Sequence, residues 1–477
     1  MNKDAIRENS IVETEITAVT NEGSGVSRYN GMVMFTPFTA PGDVARVKIA
    51  KAGKTCLYGE LEEIVKPSEK RIAPDCPVFG ECGGCALRHI DYDAETEIKT
   101  GWVKDHISRI GGFDLDPLPT KPSPNCERYR NKAIYQAGKN ERGEVVFGFY
   151  RRKSHDVINC ESCLLQPEEF SEILRAVKFF VKEKKISIYD EKSHSGLLRA
   201  VYIRKGELTG ETGVCIVING DRLPGAELLV SVLSTQFKDI VSIVLNVNKE
   251  RTNVVLGKKF VTLFGKDGIT DVLCGVKIDV SPAAFYQVNH AAAELLYSEA
   301  ARLADLKGDE TLLDLYCGAG TIGLSMAGKV KRLIGVEIVP EAVENAKKNA
   351  ERSGVKNAEF ICGDAAKAAE TLQKRGLRPD VVILDPPRKG CSEETLASVA
   401  AMSPEKIVMV SCNTATMARD FKVLSELGYA PAAAQPVDMF PRTANIECAA
   451  LLTRKEKKAE KRRYLNKVFI SFKGVKK

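Results

Sequence analysis

One turn in the C-terminal third of the chain constrains its fold more than any other feature. The segment "TLLDLYCGAGTIG", residues 311–323, leads a short apolar strand into a glycine-rich turn and then into a predicted helix. Further apolar strands at 333–337, 381–385 and 407–411 alternate with helical stretches such as 340–353. This alternation predicts a parallel, doubly wound α/β sheet that binds its ligand at the carboxyl ends of the strands.

The glycine pattern by itself fits two classes of cofactor. Gly318, Gly320 and Gly323 satisfy G-x-G-x-x-G, and Glu337 ends the next strand, where an acid binds ribose hydroxyls. An NAD-dependent enzyme is therefore one interpretation and an S-adenosylmethionine-dependent enzyme the other. Asp314 precedes the glycines as D-x-x-C-G-x-G, which resembles motif I of class I methyltransferases rather than a nicotinamide site.

Two acidic residues after later strands extend this resemblance. Asp364 lies in "ICGDA" after the third strand, and Asp385 lies in "LDPPRKG" after the fourth. In class I methyltransferases the first position contacts the adenine, and the second lies where the methyl donor meets the substrate. The resemblance implies S-adenosylmethionine as cofactor and a Rossmann-like C-terminal domain over residues 279–453.

A cysteine at the end of another predicted strand indicates covalent chemistry. Cys412 ends the strand in "IVMVSCNTATMARD", at the sheet edge that faces the ligand crevice. Methylation of uracil at C5 needs such a thiol, because C5 is a poor nucleophile until a thiolate adds to C6. A nearby cation or helix dipole is expected to lower the pKa of the thiol. A lone cysteine at such a position is more often an ordinary buried side chain.

Glu447, in "DMFPRTANIECAAL", supplies the group that completes this chemistry. After methyl transfer C5 still carries a proton, and a carboxylate is a suitable base to remove it. The order Asp385, Cys412, Glu447 therefore favours a nucleophile at Cys412 and a base at Glu447 over simple packing.

The N-terminal residues 1–66 predict a small β-barrel. Short β-rich runs at 11–16, 32–35, 44–49 and 57–65 are separated by turns that contain glycine or proline, including one over 21–25. The pattern of residues 21–49 resembles the TRAM domain, an OB-like RNA-binding module. A central α+β region, 67–278, follows.

Clustered cysteines open this central region. Cys76, Cys82 and Cys85 are spaced as C-x5-C-x2-C, which is typical of thiolate ligands of an iron–sulfur cluster or of zinc. A fourth ligand is needed, and "NCESCLLQP" offers Cys160 and Cys163. Fourteen cysteines in a chain without a secretory signal favour metal-binding or catalytic thiols over disulfides.

The charge and hydropathy of the chain bear on partner and location. Residues 454–477 hold eleven Lys or Arg and two Glu, a net charge of +9, against +7 for the whole chain. This basic tail fits either phosphate contact or a solubilising role. No apolar run is long enough to span a bilayer, so we expect a cytoplasmic protein that binds no membrane.

The chain resembles the RNA uracil-5-methyltransferase family over nearly its whole length. The most specific part of this resemblance is a set of five segments in fixed order: "SPAAFYQVN", "DLYCGAG", "LDPPRKG", "SCN" and "MFPRT…E". The resemblance implies Cys412 as nucleophile and Glu447 as base. It also implies a group of cofactor-binding or site-lining residues: Gln287, Tyr316, Glu337 and Asp385. Whether Asp385 instead hydrogen-bonds the uracil stays open.

The same resemblance bears on the cluster and on the substrate. It implies a [4Fe–4S] cluster with Cys163 as fourth ligand; Cys160 and a zinc site are the alternatives. It favours 23S ribosomal RNA as substrate and a monomeric enzyme. Transfer RNA as substrate and a non-catalytic RNA-binding protein are the alternatives. One departure is visible: the family usually carries "PHTxHVE" where this chain has "PRTANIE", so Arg442 and Asn445 replace other residues near Glu447.

Overall fold

The computed structural model describes residues 7–455. Most of the basic tail, from residue 456 onward, lies outside the described residues. Three large sheets follow one another along the chain. None of the helices within residues 7–455 is both long and apolar enough to cross a membrane.

The N-terminal sheet has six strands in the order β1-β5-β6-β4-β3-β2, with β4 and β6 as its one parallel pair. They are β1 (Ile11–Glu15), β2 (Ala18–Val19), β3 (Ser24–Tyr29), β4 (Met32–Pro37), β5 (Val44–Ala52) and β6 (Cys56–Lys66). Burial alternates strictly along β1, because one face of each strand packs on a small core. The four predicted strands are confirmed, but β3 begins at Ser24, inside the segment predicted as a turn.

The central region begins with α1 (Tyr92–His106), which continues as a π-helical turn, Ile107–Gly111. Its sheet follows the order β13-β12-β11-β10-β7-β8-β9, with one parallel pair, β11–β12. The strands are β7 (Lys132–Lys139), β8 (Val145–Tyr150), β9 (Val157–Asn159), β10 (Leu198–Lys205), β11 (Thr212–Ile218), β12 (Ile240–Val247) and β13 (Lys259–Gly265). Helices α2 (Glu168–Glu183) and α3 (Ala226–Gln236) pack against it in one core.

The C-terminal part opens with a hairpin, β14 (Ile269–Leu273) and β15 (Val276–Val280), and then α4 (His290–Ala304). Strands and helices then alternate as predicted: β16 (Thr311–Leu315), α5 (Thr321–Met326), β17 (Arg332–Glu337), α6 (Pro340–Arg352), β18 (Ala358–Cys362), α7 (Ala365–Lys374), β19 (Val381–Leu384), α8 (Glu393–Met402), β20 (Lys406–Ser411), α9 (Thr414–Glu426), β21 (Tyr429–Val437) and β22 (Glu447–Arg454). Their order in the sheet is β18-β17-β16-β19-β20-β22-β21.

The first five strands of this sheet are parallel, and β22 is antiparallel to both of its neighbours. Strands β16 and β19 are apolar and largely buried, as expected for parallel strands covered by helices on both faces. The chain reverses its direction of winding between these two strands, which is where such sheets bind ligands.

The core of the C-terminal sheet also contains residues from earlier in the chain. Trp102, Val103 and Ile107 of the central region share one cluster of buried side chains with Leu313 and Met409. The hairpin β14–β15 packs into a second cluster with α4. The layer over this sheet therefore includes residues before 279.

Candidate active site

The predicted site residues of the C-terminal part converge on one edge of its sheet. Strand β17 ends at Glu337, and Asp364, Asp385 and Cys412 follow the ends of β18, β19 and β20. Strand β22 runs the opposite way and begins at Glu447, so its first residue lies at the same edge. The carboxyl edge of the sheet thus brings together residues that are far apart in the sequence.

The glycine-rich turn is held by two carboxylates. Gly318 N–H donates to Glu337 Oε2 at 3.1 Å, and Gly323 N–H donates to Asp314 Oδ2 at 2.9 Å. Gly320, with φ 79°, precedes the first residue of α5 in the left-handed region that glycine adopts without strain. Asp314 and Glu337 therefore fix the backbone that faces the ligand.

Burial raises the pKa of the acids beneath this turn. The pKa of Asp314, which is 1% exposed, rises to about 8 through burial and the nearby charges of Asp385 and Glu337. Burial likewise raises the pKa of Asp385 to about 7. Asp314 Oδ1 is buried without a hydrogen-bond partner. Buried acids with raised pKa values are typical of functional sites, and this group suits a cationic ligand such as a sulfonium.

The outer part of the turn offers space and apolar surface for a nucleoside. A Cβ built on Gly318 meets no atom within 4 Å, and the side chain of Ile338, after Glu337, is 62% exposed. Asp364 is exposed and caps α7, accepting from the N–H groups of Ala366 and Lys367 at 3.2 Å. These features fit the adenosyl part of S-adenosylmethionine.

Gln287 and Tyr316 border the same space from two sides. The Gln287 side chain lies near the buried phenol of Tyr297, whose hydroxyl is 3.2 Å from Thr321 Oγ1 and whose pKa the charge of Asp385 raises. Tyr316 follows β16 with φ 66°, and its hydroxyl donates to Thr395 Oγ1 at 3.3 Å. The structure therefore places both predicted residues beside the acids of the turn.

The predicted nucleophile and base are neighbours. Cys412 is half-buried between β20 and α9, and burial together with Glu447 and Asp385 raises the pKa of its thiol. Glu447 is 7% exposed, and burial and the charge of Asp385 raise its pKa well above the usual range. A thiol, a carboxyl group and a second carboxyl group thus face one another beside the cofactor turn.

Arg388 also belongs to this group, although no role was predicted for it from the sequence. Its guanidinium lies near the Cys412 thiol, and its charge opposes the rise of the thiol pKa. The carbonyl of Arg388 accepts from Asn413 Nδ2 at 2.9 Å, which fixes the motif 384–390 against the start of α9. Its position three residues after Asp385 is the feature of the sequence that could have identified it. It is the cation that thiolate chemistry needs.

Residues 438–446, called the base loop below, join β21 to β22 and end directly before Glu447. Val437 pairs with Glu447 at the root of the loop. Asn445 Nδ2 donates to Thr443 Oγ1 at 3.2 Å within the loop, while Arg442 contacts Ile90 of the central region. The departures from the family pattern therefore lie in the support of Glu447.

Five of the cysteines of the central region lie in one neighbourhood: Cys76, Cys82, Cys85, Cys160 and Cys163. The charges of Cys76, Cys82 and Cys163 each act on the Cys85 thiol, whose pKa burial raises to about 12. Cys160 hydrogen-bonds Cys163 and thereby lowers the pKa of Cys163. Within residues 7–455 no three His, Cys, Asp or Glu side chains are grouped tightly enough to hold one metal ion. The donor chemistry is nonetheless that of iron–sulfur ligands.

Comparisons with known proteins agree with this geometry. Residues 276–455 match the family described as tRNA (Uracil-5-)-methyltransferase, and residues 7–61 match the TRAM domain. A protein of Clostridium tetani named as an uncharacterized RNA methyltransferase is 41% identical over 95% of this chain and 98% of its own. A similarly named protein of Bacillus cereus is also 41% identical, over 95% and 98%.

A solved structure extends the likeness to the fold. The tRNA (uracil-54, C5)-methyltransferase of Pyrococcus abyssi, in complex with S-adenosyl-L-homocysteine, is 27% identical with a TM-score of 0.72. The match covers 93% of this chain and 100% of that chain. The alternatives of an NAD-dependent enzyme and of a non-catalytic RNA-binding protein are not supported by these relatives. The chain belongs to the RNA (uracil-5-)-methyltransferase family and is an S-adenosylmethionine-dependent enzyme with an N-terminal TRAM domain.

Proposed function

We propose that the enzyme methylates uracil at C5 through a covalent bond between Cys412 and C6 of the base. The observation that carries this proposal is that Cys412 and Glu447 lie beside the cross-strand pair of Ser411 and Cys448, within electrostatic reach of Asp385, at the edge that also holds the cofactor turn. A methyltransferase that acts on nitrogen or oxygen needs no thiol at this position.

The proposed steps balance in atoms and electrons. The Cys412 thiolate adds to C6, the C5=C6 π bond opens, and the electron pair moves toward O4 as an enolate. C5 then bonds to the methyl carbon that S-adenosylmethionine, when bound, would supply, while the methyl–sulfur bond breaks and its electron pair leaves with S-adenosylhomocysteine. Glu447 then takes the C5 proton, the C5=C6 bond re-forms, and the Cys412 thiolate leaves.

The other site residues bind and orient. Gln287, Tyr316, Glu337 and Asp364 line the space proposed for the cofactor, with Glu337 and Asp364 on its nucleoside side. Asp385 lies between this space and the Cys412–Glu447 pair. We therefore assign it to the point where base and methyl donor meet.

A trapping experiment tests the nucleophile. RNA containing 5-fluorouracil has no C5 proton to remove, so the enzyme with cofactor is expected to stay covalently bound and to migrate as an adduct in a denaturing gel. Cys412→Ala is expected to abolish the adduct. Cys362→Ala removes another thiol at the same sheet edge, at the end of β18, and should leave it intact. An adduct that persists in Cys412→Ala would contradict the assignment.

We further propose 23S ribosomal RNA as substrate, in the cytoplasm. Support comes from the TRAM domain in combination with the cysteine group. Transfer RNA is the second candidate, because the Pyrococcus abyssi enzyme named for tRNA uracil-54 matches 93% of this chain. Nucleoside mapping of ribosomal and transfer RNA from a strain without the enzyme tests this. Loss of 5-methyluridine from tRNA alone would contradict the ribosomal assignment.

The cysteine group is proposed to bind a [4Fe–4S] cluster through Cys76, Cys82, Cys85 and Cys163. Cys160 then acts as a hydrogen-bond donor to Cys163. Anaerobically purified enzyme is expected to absorb near ~400 nm and to contain iron and sulfide. Cys163→Ser should lose most of the iron, whereas Cys160→Ser should retain it. A colourless protein that contains zinc would contradict the cluster, and the reverse order of iron loss would exchange the two cysteines.

A further inference from the structure

A group of four buried charges lies between α1 and the base loop. Lys99 Nζ lies 2.8 Å from Glu95 Oε1 and 2.8 Å from Asp438 Oδ1, and all three side chains are fully buried. Lys99 also donates to the Phe440 carbonyl at 3.2 Å. Arg442 is the second cation, with Nη1 3.7 Å from Glu95 Oε2 and a side chain 13% exposed. Two cations and two carboxylates thus face one another where α1 meets the base loop.

Arg442 joins the base loop to two separate parts of the central region. Its N–H donates to Glu95 Oε1 at 2.8 Å, and its Nη1 donates to the Ile90 carbonyl at 3.0 Å. Its own carbonyl accepts from the N–H groups of Ala86 and Leu87 at 2.9 and 3.0 Å. Arg442 therefore connects the base loop both to α1 and to the segment directly after Cys85.

The backbone at Arg442 shows that these contacts impose a conformation. Its φ is 68°, in the left-handed region that a side chain with a Cβ adopts only where its surroundings require it. The guanidinium also lies over the Tyr92 ring, 5.4 Å from the ring centroid. The turn of the base loop is thus set by the central region, five residues before Glu447.

We propose that Arg442 is a positioning residue for methylation, which holds Glu447 in place for proton removal by tying the base loop to α1 and to the cysteine-bearing segment. It acts through Glu447 and not through contact with the RNA. This inference rests on the proposed function, because it concerns the step assigned to Glu447.

Loss of this tie has a distinct kinetic signature. Addition of the Cys412 thiolate and methyl transfer to C5 do not use Glu447, so both continue. Removal of the C5 proton becomes slow, the C5–H electron pair cannot re-form the double bond, and the C6–S bond does not break. Enzyme bound covalently to ordinary, unfluorinated RNA therefore accumulates.

Arg442→Met tests the inference, with Arg332→Met as control, since Arg332 is an exposed arginine paired with Glu359. With ordinary RNA and S-adenosylmethionine, Arg442→Met is expected to lower kcat about tenfold or more. The KM for RNA should change less than about threefold, and the adduct should persist in a denaturing gel. Arg442→Lys should restore part of kcat, and Arg332→Met should behave as wild type.

Two outcomes would overturn the inference: wild-type turnover in Arg442→Met, or a folded Arg442→Met in which adduct formation falls in parallel with turnover, which would show that Arg442 acts before proton removal. Where Arg442→Met is not recovered folded, Glu95→Gln is measured, because it removes the charge that Arg442 faces and should accumulate the same adduct more weakly. Absence of the adduct there also overturns it. Failure of wild-type enzyme to form an adduct with 5-fluorouracil RNA would instead refute the proposed function.

Discussion

The charges of individual residues decide which proton moves in this site. Cys412 and Glu447 both have pKa values that burial raises, and the charge of Asp385 raises both further, while Glu447 also raises the pKa of Cys412. The proposed reaction needs both as anions. Activity should therefore rise with pH through the neutral range and level off in alkaline solution.

Arg388 is expected to set the position of this rise. Replacing it in Arg388→Met removes the cation near the Cys412 thiol, so the thiol pKa is expected to rise further. The rate of adduct formation with 5-fluorouracil RNA should fall roughly tenfold or more at pH 7 and by less at pH 9. Quenched single-turnover assays between pH 7 and pH 9 measure the rate of adduct formation. An equal loss at both pH values would show that Arg388 binds RNA and does not activate the thiol.

At the scale of the secondary-structure element, the position of the short helix α5 against the sheet depends on a glycine, Gly323, which has no side chain. A Cβ on Gly323 would lie 2.7 Å from Asp314 Oδ2 and 2.9 Å from Leu333 Cδ1, closer than van der Waals contact allows. The absence of a side chain at Gly323 thus lets α5 approach β16 and β17, and the Gly323 N–H reach Asp314. The cofactor turn is the beginning of this helix.

Gly323→Ala is expected to push α5 away from the sheet. The overpacking should lower the free energy of unfolding by about 1–3 kcal/mol and weaken binding of S-adenosylhomocysteine, because the turn loses its support. Urea unfolding and calorimetric titration measure the two effects. Gly328→Ala adds a Cβ with no neighbour within 4 Å at an exposed position and serves as control. Equal behaviour of the two variants would contradict this account of α5.

The alternation of strands and helices in the C-terminal part was predictable from sequence, because fully buried parallel strands are short, apolar and separated by amphipathic helices. The convergence of Cys412 and Asp385 followed from the geometry of parallel sheets. The contacts of Arg388 and Arg442 were not predictable, since they join residues through loops without a periodic pattern. Strand β3 was not predicted, because it begins within "GSG", which reads locally as a turn.

At the scale of the molecule, one cluster of buried side chains runs through all three regions of the chain. It contains Val19 of the TRAM domain, Trp102 of α1 and Met409 of β20. Trp102 Nε1 also donates to the Val19 carbonyl at 2.7 Å. The domains predicted as 1–66, 67–278 and 279–453 therefore meet in a shared core at this tryptophan.

Trp102→Ala is expected to destabilise the whole protein in a single transition. Loss of a buried tryptophan costs about 3–5 kcal/mol, and the shared core connects α1 to Val19 of the N-terminal sheet and to the C-terminal sheet. Trp102→Phe keeps most of the apolar volume and should cost less. Thermal unfolding followed by circular dichroism measures both. Separate transitions in Trp102→Ala, with only one of them shifted, would show that the regions unfold independently.

The ties behind the base loop also determine when in its synthesis the enzyme becomes active. Lys99 and Asp438 are 339 positions apart, and Tyr129 and Pro441 are 312 apart. Contacts so distant in sequence form late, after the intervening chain has been made and has collapsed. At about 5–20 residues per second the ribosome takes roughly 20–100 s to complete this chain. With Glu447 as the proposed base, a nascent enzyme carries Cys412 before it can place Glu447, and turnover on neighbouring RNA is expected only after β22 has joined the sheet.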